Sequence, residues 1–334
     1  MKLIVTGGLG FIGSNFVRHM LSSRRDVEIV NIDKRTYAGN PANLADFGDN
    51  PRYRWLKADI CDSKAMLAAF EGVDAAVHFA AETHVDRSIL GPAAFVKTNV
   101  LGTQTLLEAA RARGIKKFVH VSTDEVYGSV QTGESVEGDP LLPNSPYAAS
   151  KAASDLMARS YFVTFGMPVV VTRCSNNFGP YQYPEKALPL LITNALEDKP
   201  FPLYGDGMNV RDWLFVLDHV TAIETVLERG VPGEIYNIGG GYSAPNIEFI
   251  RSVLRVMGKP ESLIQFVKDR PGHDRRYALS HEKLTRELGW KPSFAFEDAI
   301  KLTVQWYTDN RGWWTALKKK AAYNSYHKKQ YRGK

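Results

Sequence analysis

The fold is decided near the N-terminus by residues 2–13, which read KLIVTGGLGFIG. Lys2 to Thr6 is a short β-branched run typical of a buried strand, and an amphipathic stretch follows the glycines. Gly7, Gly10 and Gly13 are spaced to make a tight turn and to let the backbone approach a pyrophosphate at the N-terminus of a helix. This stretch therefore predicts the first strand, loop and helix of a dinucleotide-binding βαβ unit.

A single acidic residue indicates which dinucleotide binds. Asp33 lies 20 residues after Gly13, at the end of the hydrophobic run Glu28–Ile32. An acid at this position suits the ribose hydroxyls and would repel a ribose phosphate, so NAD is expected rather than NADP. The adjacent Lys34 and Arg35 leave NADP open.

The alternation of strands and helices continues through the first half of the chain. Strands are predicted at Leu3–Thr6, Val27–Ile32, Tyr53–Lys57, Ala75–Phe79, Lys117–Ser122 and Pro168–Arg173, and helices at Phe11–Ser22, Ser63–Phe70, Ala93–Arg113 and Pro146–Phe165. Several strands lack strict alternation, as expected for a sheet covered on both faces. The fold class is therefore α/β, with a Rossmann-type doubly wound parallel sheet.

Beyond residue 173 the pattern loosens into Pro, Gly, Asn and Tyr punctuation. A strand and helix recur over Trp213–Arg229, and Glu234–Ile238 resembles one more strand of the sheet. We predict an NAD-binding domain over residues 1–175, with 213–239 returning to it. Residues 176–212 and 240–317 would form a smaller, discontinuous substrate-binding lobe, followed by a basic tail over 318–334.

Charge and composition limit the partners. The chain has 334 residues, 42 Lys and Arg, and 36 Asp and Glu, and seven of the basic residues fall in 318–334. This charge run favours a solvated tail. A basic arm that binds nucleic acid is the alternative interpretation. No apolar run approaches the length of a membrane span. Two cysteines cannot form a disulfide framework, so a reducing cytoplasm is expected.

Two groups of residues carry the chemistry. Tyr147 and Lys151 lie four residues apart on a predicted helix, so the ammonium can approach the phenol and lower its pKa together with a positive nicotinamide ring. Thr123, Asp124 and Glu125 follow a buried strand, at the sheet edge where open α/β folds bind ligands. The sequence therefore predicts one catalytic centre at this edge.

Several stretches resemble a known family, the extended short-chain dehydrogenase/reductases of sugar-nucleotide metabolism. Within it the chain is most similar to 4,6-dehydratases that act on dTDP-glucose. The resemblance runs from Met1 to about Trp314. It rests on AETHVDRS (81–88), STDEVYG (122–128), SNN (175–177), PEK (184–186) and RPGHDRRY (270–277).

The resemblance implies a hydro-lyase of deoxysugar biosynthesis. Tyr147, tuned by Lys151, would take the proton from the hydroxyl on sugar carbon 4 while NAD accepts the hydride, and Thr123 would orient the sugar. Glu125 would then remove the proton on carbon 5, and a protonated Asp124 would donate to the hydroxyl leaving carbon 6. The product would be a 4-keto-6-deoxy sugar.

The resemblance also implies the contacts of both ligands. Cofactor contacts are expected from Gly7, Gly10, Phe11, Ile12, Gly13, Asp33, Lys34, Thr36, Asp59, Ile60, Phe79, Ala80, Ala81, Thr98, Tyr147 and Lys151. Substrate contacts are expected from Thr83, His84, Thr123, Asn177, Lys186, Leu188, Pro202, Tyr204, Arg211, Asn246, Arg276 and Tyr277. A homodimer is expected through the helices at Ala93–Arg113 and Pro146–Phe165.

Other functions compete with this interpretation. A UDP-sugar 4-epimerase of the same family needs Tyr147 and Lys151 but has no use for Asp124 and Glu125. A non-catalytic dinucleotide-binding regulator needs none of the four. Thymine and uracil differ by one methyl group, so a UDP-glucose 4,6-dehydratase stays open. The two acids favour the dehydratase.

Overall fold

The computed structural model describes residues 1–321 and 323. In this part of the chain the strands are β1 (Lys2–Thr6), β2 (Glu28–Ile32), β3 (Tyr53–Leu56), β4 (Ala75–His78), β5 (Lys117–Thr123), β6 (Val169–Cys174), β7 (Asn176–Phe178), β8 (Phe201–Tyr204), β9 (Val210–Phe215), β10 (Ile235–Ile238), β11 (Ser243–Pro245) and β12 (Ile264–Val267). The α-helices are α1 (Phe11–Ser23), α2 (Ser63–Ala69), α3 (Val85–Leu90), α4 (Ala93–Phe95), α5 (Thr103–Arg113), α6 (Pro146–Phe165), α7 (Ala187–Ala195), α8 (Val216–Arg229), α9 (Asn246–Val256), α10 (Glu282–Leu288), α11 (Phe296–Asp309) and α12 (Arg311–Lys318). Short 3-10 helices cover Pro41–Phe47, Asp124–Tyr127 and Glu261–Leu263.

Seven strands form one sheet in the order β10-β6-β5-β4-β1-β2-β3, and every pairing is parallel. The chain builds outward from β1 to β3 and then returns to the other side of β1 with β4. The strand order therefore reverses between β1 and β4, and this reversal opens a crevice at their carboxyl ends. The predicted doubly wound sheet is confirmed.

Helices cover both faces of this sheet. On one face, α1 and α8 bury side chains such as Phe16, Met20 and Ile223. On the other face, α2, α5 and α6 bury Met66, Leu106 and their neighbours. Strands buried on both sides need apolar residues at every position, which explains why the sequence showed runs rather than alternation.

The helix predicted at Ala93–Arg113 is divided by a π-helix over Val96–Gly102. Two contacts account for the change. A Cβ on Gly102 would lie 2.5 Å from the side chain of Ile60, so the backbone approaches closely there. Asn99 accepts a hydrogen bond from the Glu82 amide at 2.8 Å and donates to the Glu82 carbonyl at 3.0 Å. The wider turn of a π-helix places the Asn99 side chain against the Glu82 backbone.

A second lobe surrounds the carboxyl edge of the sheet. It contains a three-stranded sheet, β11-β9-β7, a two-stranded sheet, β12-β8, and a core to which α7, α9, α11 and α12 contribute. The domain division stays a prediction, and two stretches near its boundaries pack as follows. Trp213 and Phe215 of β9 pack in the core of the second lobe, whereas Leu214 between them packs in the core that α1 and α8 form with the first sheet. Helix α10 contacts α8 and β10, and Trp290 joins their core, so this part of 240–317 packs on the first domain.

No helix among the described residues is both long and apolar enough to cross a membrane. Both cysteines are free thiols, with Cys61 half-buried and Cys174 buried. Of the predicted basic tail, Lys318 to Ala321 and Tyr323 are described, and the remainder lies outside the described residues.

Candidate active site

The loop from Gly7 to Gly13, termed the glycine loop, begins the site. Gly7 has a φ of 72° and donates its amide to the Ile32 carbonyl at 2.8 Å. A Cβ at Gly7 would lie 2.7 Å from the Ala80 backbone, and one at Gly13 would lie 2.4 Å from the Gly7 carbonyl oxygen. Only glycine permits this packing, which leaves an open groove at the N-terminus of α1.

Asp33 closes the other side of the turn. Its carboxylate accepts hydrogen bonds from the Leu9 amide at 3.1 Å and the Arg35 amide at 2.7 Å, which fixes it at the groove wall. Lys34 Nζ lies 3.5 Å from both Asp59 Oδ2 and Thr98 Oγ1. Because that ammonium already faces a carboxylate, the pocket offers a ribose phosphate little charge, and a ribose diol fits it better.

The first cavity follows the carboxyl ends of β1, β2, β4 and β5. Among the predicted cofactor contacts, Asp59 does not line this cavity. Its carboxylate instead faces the Lys34 ammonium and accepts from the Cys61 amide. The glycine-lined cradle, the anchored carboxylate and an apolar wall fit an extended dinucleotide. The predicted contacts that line the cavity are Gly7, Gly10, Phe11, Ile12, Gly13, Asp33, Lys34, Thr36, Ile60, Phe79, Ala80, Ala81, Thr98, Tyr147 and Lys151.

Asp124 and Glu125, termed the acid pair, lie on the one-turn helix Asp124–Tyr127 at the end of β5. Thr123 caps this helix, because its hydroxyl accepts from the Glu125 amide at 3.3 Å. The same hydroxyl donates to Asp124 Oδ1 at 3.1 Å. Thr123 and the acid pair line the first cavity, and Glu125 also lines a second one. The acid pair therefore lies where the two cavities meet.

The two acids lie in different electrostatic surroundings. Burial raises the pKa of Asp124 well above its usual range, and the carboxylates of Glu125 and Asp212 raise it further. Asp124 Oδ2 is buried without a hydrogen-bond partner among the described residues. Burial also raises the pKa of Glu125, but Arg270 and Arg211 oppose that rise. Asp124 is the better proton donor and Glu125 the better base.

Tyr147 and Lys151, termed the Tyr–Lys pair, lie on one face of α6. Burial raises the pKa of Tyr147 well above its ordinary value, and burial lowers the pKa of Lys151 to about 8. Lys151 Nζ donates to the Val121 carbonyl at 2.7 Å. The carboxylate of Glu125 raises the pKa of Tyr147 further, so the protein alone favours the neutral phenol. A further positive charge, such as an oxidised nicotinamide ring, is needed to favour the phenolate.

The second cavity extends from Glu125 into the smaller lobe. Its far end is apolar, with Trp213 and Phe249 stacked at 3.7 Å between ring centres. Thr123 lines only the first cavity. The predicted substrate contacts that line the second cavity are Thr83, His84, Asn177, Lys186, Leu188, Pro202, Tyr204, Arg211 and Asn246.

Two predicted substrate residues do not line either cavity. Arg276 Nη1 donates to the Gly133 carbonyl at 2.6 Å, and the Tyr277 ring lies 4.3 Å behind the Arg211 guanidinium. A direct contact of Arg276 and Tyr277 with substrate therefore stays a prediction, while the Tyr277 ring packs against the Arg211 guanidinium. The neighbouring Arg275 pairs with Asp206 at the surface. Strand β9 and residues 274–277 run side by side, joined by backbone hydrogen bonds at Val210.

Arg270 is the cation that sequence reasoning missed. It lines the second cavity with His273, and its Nη1 lies 3.3 Å from Asp86 Oδ1. Asp86 also accepts from the Tyr204 hydroxyl at 3.1 Å. The signal was present, because Arg270 begins the RPGHDRRY motif, but spacing alone could not show which of its three arginines faces inward.

The fold and site define a class of protein. A reversing parallel sheet, a glycine loop and a Tyr–Lys pair beside it are the features of an extended short-chain dehydrogenase/reductase. The family model described as GDP-mannose 4,6 dehydratase matches residues 4–303, and the chain belongs to this family.

Curated relatives narrow the comparison. A dTDP-glucose 4,6-dehydratase of Actinoplanes sp. is 51% identical over 320 residues, covering 94% of this chain and 100% of the relative. The dTDP-glucose 4,6-dehydratase 1 of Escherichia coli K12 is 47% identical over 362 residues, covering both chains completely. These relatives share full-length similarity with this chain.

Solved structures show the same similarity to dTDP-glucose 4,6-dehydratases. DesIV, a dTDP-glucose 4,6-dehydratase of Streptomyces venezuelae crystallised with NAD, superposes with a TM-score of 0.93 at 52% identity, covering 95% of this chain and 100% of that one. A UDP-glucuronic acid 4-epimerase of Bacillus cereus reaches a TM-score of 0.87 at only 28% identity, covering 92% and 99%. The fold is common to both activities, whereas sequence similarity is much higher to the dehydratase.

Proposed function

We propose that the chain is an NAD-dependent dTDP-glucose 4,6-dehydratase that forms dTDP-4-keto-6-deoxyglucose and water. The observation that carries the proposal is the acid pair, which lies between the cofactor groove and the second cavity and beside Tyr147. An epimerase would need only the Tyr–Lys pair. The relatives with about 50% identity over nearly the whole chain carry this activity in their names.

In the first step Tyr147 accepts the proton of the hydroxyl on carbon 4. Thr123, which caps the acid-pair helix and lines the first cavity with Tyr147, orients the hydroxyl on carbon 4. Lys151 keeps the phenolate in a positive environment. NAD, held by the glycine loop, Asp33 and the other groove residues, supplies the acceptor of the hydride from carbon 4 and its later donor to carbon 6.

In the second step the 4-ketone acidifies the hydrogen on carbon 5. Glu125 removes that proton, and the electron pair left on carbon 5 forms the double bond to carbon 6. Asp124 donates its proton to the departing hydroxyl, which leaves as water. Glu125 then returns a proton to carbon 5. Asp124 recovers a proton from solvent, and Tyr147 releases to solvent the proton that it took from the hydroxyl on carbon 4, so all three groups end in their starting states.

The second cavity would hold the nucleotide. Arg211 and Arg270 provide two guanidinium groups for the diphosphate oxygens. The apolar end around Leu188, Trp213 and Phe249 suits a pyrimidine ring with a methyl group. A UDP-glucose 4,6-dehydratase is the second candidate, because the same surfaces would accept uracil with the loss of one methyl contact.

A parallel assay tests the proposal. The purified protein is incubated with NAD and, separately, dTDP-glucose, UDP-glucose and GDP-mannose, and products are identified by nuclear magnetic resonance. We expect a 4-keto-6-deoxy sugar from dTDP-glucose in preference to the others. Formation of only the 4-epimer, or no turnover of any of the three, contradicts the proposal, and preferential turnover of UDP-glucose would favour the second candidate.

A homodimer through the helices at 93–113 and 146–165 is part of the same proposal. Large apolar side chains on these helices are exposed in the monomer, among them Leu101 at 50%, Leu156 at 53% and Val163 at 63%. Leu156 and Val163 lie seven residues apart and so share one face of α6. Burying such a face against a second copy would remove it from water.

A cytoplasmic location is proposed on chemical grounds. Cys61 and Cys174 are both unpaired, and Cys174 lines the cofactor groove beside the acid pair. A thiol in such a place is preserved best under reducing conditions. Fractionation of cells that produce the protein, followed by immunodetection, would test the location.

A further inference from the structure

A buried guanidinium that lines neither of the two cavities is bound to the helix that carries the Tyr–Lys pair. Arg173 on β6 is 3% exposed. Its Nε and Nη2 donate to the two oxygens of Asp155 on α6, at 2.8 and 3.0 Å. Asp155 lies one helical turn after Lys151. Arg173 is therefore fixed to α6 by a two-point contact.

The same guanidinium is bound to the acid-pair helix. Arg173 Nη1 donates to the hydroxyl of Tyr127 at 2.7 Å, and the guanidinium lies 4.8 Å from the centre of its ring. Tyr127 donates in turn to Asn237 Oδ1 on β10 at 2.8 Å. Tyr127 ends the one-turn helix and lies two residues after Glu125. A single buried side chain therefore connects the two catalytic elements.

Burying the charges of Arg173 and Asp155 has a desolvation cost, so the contact contributes little net stability. The Arg173 and Asp155 side chains are 3% and 0% exposed, so both charges have lost their water. Packed apolar residues of the same volume often stabilise a core as well as such an ion pair does. A guanidinium does provide fixed directions of hydrogen bonding, which an apolar cluster does not. Geometry is therefore the property that this arrangement supplies.

We propose that Arg173, acting through Tyr127 and Asp155, is a positioning residue that sets the placement of the acid pair relative to the Tyr–Lys pair. The proposal rests on the proposed function, in which one bound sugar meets Tyr147 at carbon 4 and then Glu125 and Asp124 at carbons 5 and 6. The two catalytic elements must fit one sugar without its release. A small displacement of the acid pair would slow the elimination more than the oxidation.

Tyr127→Phe tests the proposal, because it removes one hydroxyl and leaves the Arg173–Asp155 pair in place. Turnover is measured with dTDP-glucose carrying deuterium at carbon 4 or at carbon 5. We expect kcat to fall at least about tenfold with KM changed less than about threefold. The isotope effect at carbon 5 should rise and that at carbon 4 should fall. Tyr236→Phe is the matched control, since this buried β10 hydroxyl interacts with the Val231 amide instead.

The outcomes are distinguishable. If the parental protein does not turn over dTDP-glucose, the proposed function fails and this proposal fails with it. If the parental protein is active but both isotope effects stay unchanged in Tyr127→Phe, a positioning role is contradicted, whatever happens to kcat. Arg173→Lys keeps the charge without the two-point contact, and the same shift of isotope effects is expected from it.

Discussion

At the scale of single residues, one kind of functional group performs two tasks because its surroundings differ. Asp124 is enclosed beside Glu125 and Asp212, which raises its pKa in addition to burial. Glu125 faces Arg270 and Arg211, which favour its charged form. Adjacent residues of a one-turn helix point in different directions, so neighbouring acids can reach different environments.

Glu125→Gln tests the assignment of the base. The amide cannot accept the proton from carbon 5, whereas oxidation at carbon 4 depends on the Tyr–Lys pair. We expect overall turnover to fall by about 10² to 10⁴-fold while the absorbance of the reduced cofactor still appears after mixing. Tyr147→Phe should suppress that absorbance. Dehydration by Glu125→Gln at the parental rate would show that another group is the base.

Asp124→Asn tests the cost of keeping a carboxyl group buried. Because the pKa of Asp124 is raised in the folded protein, the unfolded chain releases this proton first as the pH rises above the ordinary value of 3.8. Asp124 therefore lowers the free energy of unfolding of the parent over that range, and this contribution is absent from the variant.

We expect Asn at this position to stabilise the fold by roughly 1 kcal/mol at neutral pH and to abolish elimination. The difference in Tm between variant and parent should shrink as the pH approaches 3.8. A variant that is less stable than the parent at neutral pH would contradict the burial argument.

Arg270→Gln tests which arginine of the motif binds substrate. Loss of a charged hydrogen bond to a diphosphate costs about 1.5–3 kcal/mol, so KM for dTDP-glucose should rise about ten- to a hundredfold. Arg275→Gln is the control, because its guanidinium pairs with Asp206 at the surface. Equal effects of the two substitutions on KM would mean that the inward position of Arg270 does not matter.

At the scale of elements, the glycine loop and the π-helix show how close packing determines local structure. The sequence predicted the loop because its glycines have a fixed spacing. It did not predict the π-helix, because the contacts of Gly102 with Ile60 and of Asn99 with Glu82 join residues that are distant in the chain. Hydrophobic periodicity records which face is buried but not how near the next element lies.

Gly13→Ala tests the loop. Its Cβ would lie 2.4 Å from the Gly7 carbonyl oxygen, so the loop must shift away from α1. We expect NAD affinity measured by calorimetry to fall at least about tenfold and the fold to lose about 1–3 kcal/mol. Gly91→Ala is the control, since no atom lies within 4 Å of its added Cβ. Unchanged NAD affinity in Gly13→Ala would contradict the role of the cradle.

At the scale of the whole molecule, the exposed apolar side chains of α6 predict assembly. The double substitution Leu156→Glu and Val163→Glu places two charges in the proposed interface. We expect light scattering to report a dimer for the parent and a monomer for the variant. Leu302→Glu on α11 is the control, because Leu302 is exposed to a similar degree in the second lobe, at 48%. A monomeric parent would contradict the dimer.

The sequence by itself determined the doubly wound sheet, the glycine loop, the acid pair and the Tyr–Lys pair. These features follow from local patterns, since strands, glycine turns and residues one helical turn apart are specified over a few positions. The comparisons with relatives then confirmed the dehydratase family and its nicotinamide cofactor.

Only the tertiary structure decided which residues meet at the site. Arg270 lines the second cavity, whereas Arg276 donates to the Gly133 carbonyl. Helix α10 packs on α8 and β10, and Arg173 connects Tyr127 to α6. The tertiary structure also decided that burial raises the pKa of Tyr147 in the protein alone, because burial depends on everything packed around a group. Distances between residues remote in the chain are set by packing, and no local pattern records them.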